Sequence, residues 1–412
     1  GVTNATEVDL DVLNTKVGSS LFKSWFTSAN NDLFMNIYRQ SLAESAGFEP
    51  GTQLYAISVE IDDLASNGDP NAVNQLNLLG QYEGSVQNAQ LTQLYDRSAP
   101  TYVHMEGMLE GFRQTHRKGI VPESMWPVGV RGPHLHGDQV QGWFKGYGSW
   151  GERDADQAFS GYDHTIYGMV LGLDKAYGEL VVGLAGGYAQ SELSQNDGDN
   201  SDATTGYGLV YSSWGTMDWF ADLNLGYGRS AVETRSGTLF DTRGEFDADQ
   251  LAFYLGGGKE MIFKNDVWFV TPSAAFQGNL YAQDSYSEKA TTAVPRKIDA
   301  YDQWSMQSDL GVKVSYQKEK KDYVLMPEAH FNWLHEFNDE VDDVGYSLVG
   351  TPGRYSLQMQ SPIEDLFELG VGISFWTINR DGTLYEWAFG LDGRFGDGYA
   401  ASSANARLLI EF

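Results

Sequence analysis

Along most of this chain apolar side chains recur at every second residue, and that period admits one regular element. Successive side chains of an extended strand leave opposite faces, so residues two apart share a face. The closing residues show it: Leu408, Ile410 and Phe412 fall on one side, Arg407, Leu409 and Glu411 on the other. The same alternation returns, segment after segment, back to about Gln141, with an apolar or aromatic face opposed by Gly, Ser, Asn or charge. A sheet with an oily outside and a wet inside is the pattern of a membrane barrel.

Read this way, residues 141–412 hold twelve strands. They centre on 143–150, 166–174, 180–188, 207–214, 219–227 and 250–258, then on 268–280, 304–316, 323–333, 366–375, 384–392 and 404–412. Each approaches or exceeds the ~9–11 residues that a tilted strand needs to cross a bilayer. Short connections follow every second strand, as at Ala176, Gly215, Lys264, Lys318 and Asn379, while 191–204, 230–245 and 337–355 read as longer polar loops. Short turns on one rim and long loops on the other fit an outer-membrane barrel whose two ends lie on the short-turn side.

The expected lipid face collects Tyr167, Met169, Leu171 and Leu173, then Leu180, Val182, Leu184 and Tyr188, and further on Phe367, Leu369, Val371, Ile373 and Phe375. The wet face takes Gly168, Gly172, Asp174, Asp222, Asn224, Lys313, Glu328, His330, Glu368, Glu386 and Arg407. A mean hydropathy of −0.37 conceals none of this, because strands showing lipid one residue in two average out of any hydropathy window. No uninterrupted apolar run approaches the ~20 residues of a membrane helix. With 27 basic against 56 acidic residues the net charge is −29, which argues against nucleic acid as a partner. Cysteine is absent, so neither disulfides nor thiol metal sites arise. The sequence opens at Gly1 without a charged-then-apolar leader, so any signal peptide is expected either to have been removed or to lie outside this sequence.

Residues 1–140 read differently, as helical and irregular. Leu33, Phe34, Ile37 and Tyr38 have helical spacing, as do Leu91, Leu94 and Tyr95, with a loop at 67–70 between them. The clearest helix begins near Ser98 and Pro100 and carries Met105, Met108, Leu109 and Phe112 on one stripe. It ends in Arg113, His116, Arg117 and Lys118 before Gly119, a basic last turn and a glycine stop.

The strings WFKGYGSWG at 143–151, GYD at 161–163, YGMVLGLD at 167–174 and VGLAGGY at 182–188 resemble the opening of the autotransporter β-domain. GRFGDGY at 393–399 and the run to Phe412 resemble that family's last hairpin. The stretch 74–117 is similar in character to the helical segment that precedes such barrels. The resemblance implies a twelve-stranded translocator in the outer membrane that exports or anchors its own N-terminal passenger and keeps a linker helix in its lumen. It further implies periplasmic chaperones as partners and a barrel-assembly machinery that reads Leu408, Ile410 and Phe412 as an assembly signal. On this reading residues 1–70 are a possible passenger remnant, 71–140 the linker and plug helix, and 141–412 the barrel embedded in outer-membrane lipid.

A helix in a narrow, partly dry pore should pair its charges. Arg113 and Arg117 are therefore expected to meet inward carboxylates such as Asp222, Glu328, Glu368 or Glu386, the alternative being a helix packed outside the barrel. Other candidates are weaker. Asn30-Asn31-Asp32 resembles a self-cleavage site but lies far upstream of the first strand. His330 and His335 could suggest a barrel hydrolase, though nothing fixes a nucleophile, and a simple diffusion porin is a third class. The acidic run 197–202 has calcium-loop spacing without the closing bidentate Glu, and His134 with His136 is too few ligands for a metal. The sequence thus assigns no catalytic residue, cofactor or metal.

Overall fold

The protein is described by a computed structural model covering residues 21–29, 32–98, 100–116, 140–156, 158–216, 218–236, 239–263, 267–320, 323–338, 341–378 and 383–411. Twelve long strands form its wall: β1 (Val140–Arg153), β2 (Tyr162–Tyr177), β3 (Leu180–Gln195), β4 (Asn200–Gly215), β5 (Trp219–Arg235) and β6 (Thr242–Lys259). The other half is β7 (Trp268–Gln283), β8 (Tyr301–Tyr316), β9 (Tyr323–Glu336), β10 (Asp365–Ile378), β11 (Leu384–Gly396) and β12 (Tyr399–Glu411). Each pairs antiparallel with the next, and β12 returns to β1 from Tyr399↔Arg153 to Glu411↔Gln141. The sheet has no free edge, so every wall strand finds hydrogen-bonding partners on both sides, which lipid cannot supply.

The outward face divides into bands. Leu171, Leu173, Leu184, Leu223, Leu225, Leu255, Leu369 and Val371 make an exposed aliphatic belt. Tyr177, Trp214, Trp219, Trp268, Tyr323 and Trp387 border it at the short-turn end, and Trp150, Tyr167, Tyr188, Tyr227, Trp304 and Trp333 at the other. Amphipathic rings at both edges of an apolar band are what two membrane interfaces select. Gly178 permits the two-residue reversal between β2 and β3 at φ 65°, and Gly398 does the same between β11 and β12 at φ 59°.

Two loops expected from polar composition are mostly strand. β3 and β4 pair up to Ser194↔Asn200, leaving a turn at 196–199, and β5 and β6 pair up to Arg235↔Arg243. Above the lipid a strand needs no apolar face, so ladder hydrogen bonds carry the hairpin on through polar sequence.

The long-loop end is capped. Helices α1 (Leu42–Ala46), α2 (Gln53–Ser66), α3 (Pro70–Leu79) and α4 (Gly84–Asp96) precede a 3₁₀ turn (Thr101–His104) and α5 (Met105–His116). Their starts are legible locally: the Ser41, Thr52 and Asp69 side chains accept from the first free backbone N–H groups, and Pro70 fills the first turn of α3. Leu42, Ile57, Ile61, Leu79, Leu91 and Tyr95 share a core with Tyr281, Val294, Tyr346 and Leu348 from the wall and its long loops. Those loops form a small sheet of Tyr286–Ser287, Arg296–Ile298, Val344–Leu348 and Tyr355–Leu357. Polar ties reinforce the docking: Tyr95 Oη donates to the Val294 carbonyl at 3.0 Å, and the Gln53 amide exchanges two hydrogen bonds with Ser356.

Residues 33–38 are not helical. Asp32–Arg39 is a strand paired with Phe22–Ala29, from Phe22↔Arg39 to Ala29↔Asp32. A short run rich in large and β-branched side chains satisfies either period, and an adjacent partner strand decides for the hairpin.

Leu369→Arg would place a cation in the middle of the belt. It is expected to cost about 2–4 kcal/mol of barrel stability, read by denaturant titration after refolding into lipid vesicles.

Candidate functional site: a helix in the barrel lumen

Helix α5 lies inside the barrel, and the alternative of a helix packed outside it is thereby overturned. Met108, Leu109 and Phe112, at most 2% exposed, share a core with Trp143, Tyr147, Ile166, Val170, Tyr207 and Tyr211 of the inner wall. Burial of three such side chains stabilises the insertion by about 1.5–3 kcal/mol each. The first turn of the expected helix is 3₁₀ instead, from Thr101 to His104, and the α-helix proper starts at Met105.

Room for a helix is made by glycine. Tyr147, Trp143, Tyr211 and Tyr207 stand directly across the ladder from Gly168, Gly172, Gly183 and Gly187. A β-carbon added at any of the four would come within 2.1–2.4 Å of the facing ring, so each ring lies down over its glycine. This clears the lumen and leaves the Tyr147 and Tyr207 hydroxyls facing α5, while the Tyr211 hydroxyl donates to Asp174 of the wall at 2.7 Å. The Tyr147 hydroxyl donates to the Gly107 carbonyl of α5 at 2.9 Å and stands 3.1 Å from that of Tyr207. The helix answers with small residues of its own: a β-carbon on Gly111 would sit 2.0 Å from the Tyr207 hydroxyl, and one on Gly107 3.3 Å from Ala189. Gly107 and Gly111, four residues apart, form one smooth stripe that lets helix and wall approach closely.

The opposite wall is charged. Arg394 of β11 receives Glu110 of the helix at 3.1 Å and Glu368 of β10 at 2.8 Å, with Glu106 at 3.9 Å. Glu106 and Glu110 are one turn apart, so both reach the same guanidinium. Burial makes this pairing matter, since removing one partner would leave a carboxylate in the wall without compensation.

Among the expected lumenal carboxylates, Glu328 meets Lys313 at 3.8 Å, Glu386 meets Arg407, Glu368 meets Arg394, and Asp222 accepts from the Ser213 hydroxyl. These described partners belong to the wall, and Glu328 and Glu368 have further partners besides them. Arg117 and the side chain of Arg113 lie outside the described residues, as do Phe412, Asn30, Asn31, His134 and His136. The described ion pairs between helix and wall therefore run from helix acid to wall base. The signal for them was present as Glu106–Glu110 and Gly107–Gly111 within one heptad, overshadowed by the apolar stripe between them.

His330 faces the lumen, whereas His335 faces outward beside Trp333 and Asp365. Two histidines on opposite faces of one strand cannot share an active site. In the acidic run 197–202, Asp197 accepts from the Ser160 hydroxyl and the Asp199 N–H, while Asp202 is an exposed strand residue.

Where cap meets lumen, above the aromatic border, His104 is fully buried between the Ser191 and Ser201 hydroxyls at 2.6 and 2.5 Å. Burial, assisted by nearby His164, depresses it from the ordinary 6.5 to about 3.

The sequence profile of the autotransporter beta-domain matches residues 142–385. Outer membrane protein B of Rickettsia prowazekii (strain Madrid E) is 24% identical over 290 residues, covering 66% of this chain and 17% of that protein. An extracellular serine protease of Serratia marcescens is 21% identical over 294 residues, covering 68% of this chain and 26% of that protein. The chain thus spans well under half the length of these relatives. In fold it is similar to the translocator domain of the autotransporter NalP from Neisseria meningitidis, with TM-score 0.55 and 12% identity over 75% of this chain and 97% of that one.

Two outcomes follow for the plug. Gly111→Val should expel α5 and raise single-channel conductance in planar bilayers, whereas Gly146→Val, where an added β-carbon meets nothing within 4 Å, should leave it unchanged. Because the folded state keeps His104 neutral, the unfolded chain takes up the proton first as pH falls. His104 should thus contribute about 2 kcal/mol less stability at pH 5 than at pH 8. His104→Gln should remove that part of the pH dependence in denaturant titrations.

Proposed function

This chain belongs to the autotransporter β-domain family, and from that membership we propose that it carries its own N-terminal segment across the outer membrane and then retains α5 as a plug. It is an outer-membrane translocator; the export of a passenger and the direction of that export are the reading offered here. One observation carries it: the polypeptide path. The cap helices sit at the long-loop end, α5 occupies the lumen, and β1 starts at the short-turn end, where Val140 pairs with Lys175. A chain lying along that path has its N-terminal part on one side of the membrane and its barrel termini on the other. The long-loop end and cap then face the cell surface, and the short-turn end faces the periplasm.

Residues 1–70 are the passenger's end, 71–140 the linker with its plug helix, and 141–412 the barrel. Helices α2 and α3 pack together across residue 70, so on this reading the passenger's end folds onto the linker. Leu408, Ile410 and Phe412 are the assembly signal offered to the barrel-assembly machinery and its chaperones. Support comes from the seam: β12 is the strand that closes the wall, so its capture before pairing with β1 would keep the barrel open until insertion. A helix filling the lumen disfavours the porin alternative, and no catalytic role is assigned to the barrel itself.

The test is topological. With a signal peptide and an epitope placed ahead of Gly1, intact cells should bind antibody against the epitope, and external protease should remove it. An epitope that stays inaccessible while the barrel shows heat-modifiable gel mobility would refute export by this chain.

A further inference from the structure

Three neighbouring strands bring one imidazole and two carboxylates to a point on the inner wall. His330 on β9 stands directly across from Gly370 on β10, which stands directly across from Asp392 on β11. The His330 Nε2 lies 3.1 Å from Asp392 Oδ1 and 3.3 Å from Glu368 Oε1. The outer oxygens are already engaged: Arg394 Nε donates to Glu368 Oε2 at 2.8 Å, and the Ser403 hydroxyl to Asp392 Oδ2 at 3.3 Å. Asn332 Nδ2 also donates to Glu368 Oε1, at 3.2 Å. The inner pair converge on a single ring nitrogen.

A neutral imidazole carries one N–H, which cannot serve two carboxylates well at once. Ligand atoms held about 2.0–2.1 Å from one cation in a tetrahedron stand about 3.3–3.4 Å apart, close to the two spacings at Nε2, and the three ligand atoms here all lie within 4.8 Å of one another. Gly370 supplies the space, since a β-carbon there would come within 2.2 Å of both Asp392 Oδ1 and the His330 ring. Beside His330 and Asp392 the lumen opens into a cavity of about 90 Å³, room for water to complete a coordination shell. Asn332, Arg394 and Ser403 make the hydrogen bonds that outer-shell groups make in metal sites.

We propose that His330, Glu368 and Asp392 form a binding site for a divalent cation of the zinc class, one nitrogen and two carboxylate oxygens with a position open to water. Mixed nitrogen and oxygen ligands favour zinc over the harder magnesium or calcium. Such an ion cross-ties β9, β10 and β11. Through Glu368 it also steadies Arg394, the wall residue that holds Glu110 of the plug helix.

The test uses the full refolded chain, with heat-modifiable mobility as the folding control and zinc chloride as titrant in calorimetry. One zinc per chain is expected, retained against a large excess of magnesium and in the His134→Ala/His136→Ala double variant. His330→Gln should weaken binding by more than the ~10–100-fold that loss of an outer-shell partner costs. Gly370→Ala should abolish it although all three ligands remain. Absence of a stoichiometric zinc on the wild-type chain overturns the site, as does equal affinity in both variants. Loss of the zinc in the His134/His136 double variant would equally overturn it.

Discussion

Lipid offers a backbone nothing to bond with, and every other feature of this protein follows from that. An edge strand in the bilayer would leave a row of N–H and C=O groups unsatisfied at several kcal/mol each. The pairing of β12 with β1 removes the last edge. Once the ladder closes, the parity of every residue is set, and one face of each strand must be apolar while the other encloses whatever the lumen holds. The belt of Leu171, Leu184, Leu225 and Leu369, bordered by Trp and Tyr, is the outer consequence. The glycines and charges are the inner one.

The lumen is built to receive a helix on two unlike walls. Along β1–β5 the aromatic rings lie over cross-strand glycines and form an apolar surface for Met108 and Phe112, tight enough that α5 meets it with glycine. Along β8–β12 the surface is ionic, and Arg394 holds the helix acids. Each wall restricts a different freedom. The glycine stripe fixes how close the helix lies, and the ion pairs fix its rotation and height. A plug held this way is registered, unlike a greasy segment resting in a pore.

The cap extends the same logic beyond the membrane. Helices α1–α4 bury Ile57, Leu79 and Tyr95 against loops belonging to the barrel, including Val294, Tyr346 and Leu348. Arg296 and Glu288 of those loops form a buried ion pair beside Tyr95. Neither part has this core alone, so the helical segment and the long loops order one another.

The strand period, the outward leucines and the aromatic borders were legible in the sequence because they depend only on neighbours along the chain and on the solvent outside. So was the stripe through Met108 and Phe112. Residues 33–38 were misread because so short a run fits either period until a partner strand is known. The polar reaches 191–204 and 230–245 were misread because a hairpin above the lipid needs no apolar face. Which charges meet in the lumen was beyond the sequence altogether. Arg394 reaches Glu110 across 284 positions, and only the closed circumference and the depth of α5 bring them together. The sequence by itself determined that this chain makes a barrel and which face meets lipid, since parity and hydropathy are local. What fills the barrel, and how it is held, was decided by the tertiary structure, because that depends on distances across a ring no linear pattern encodes.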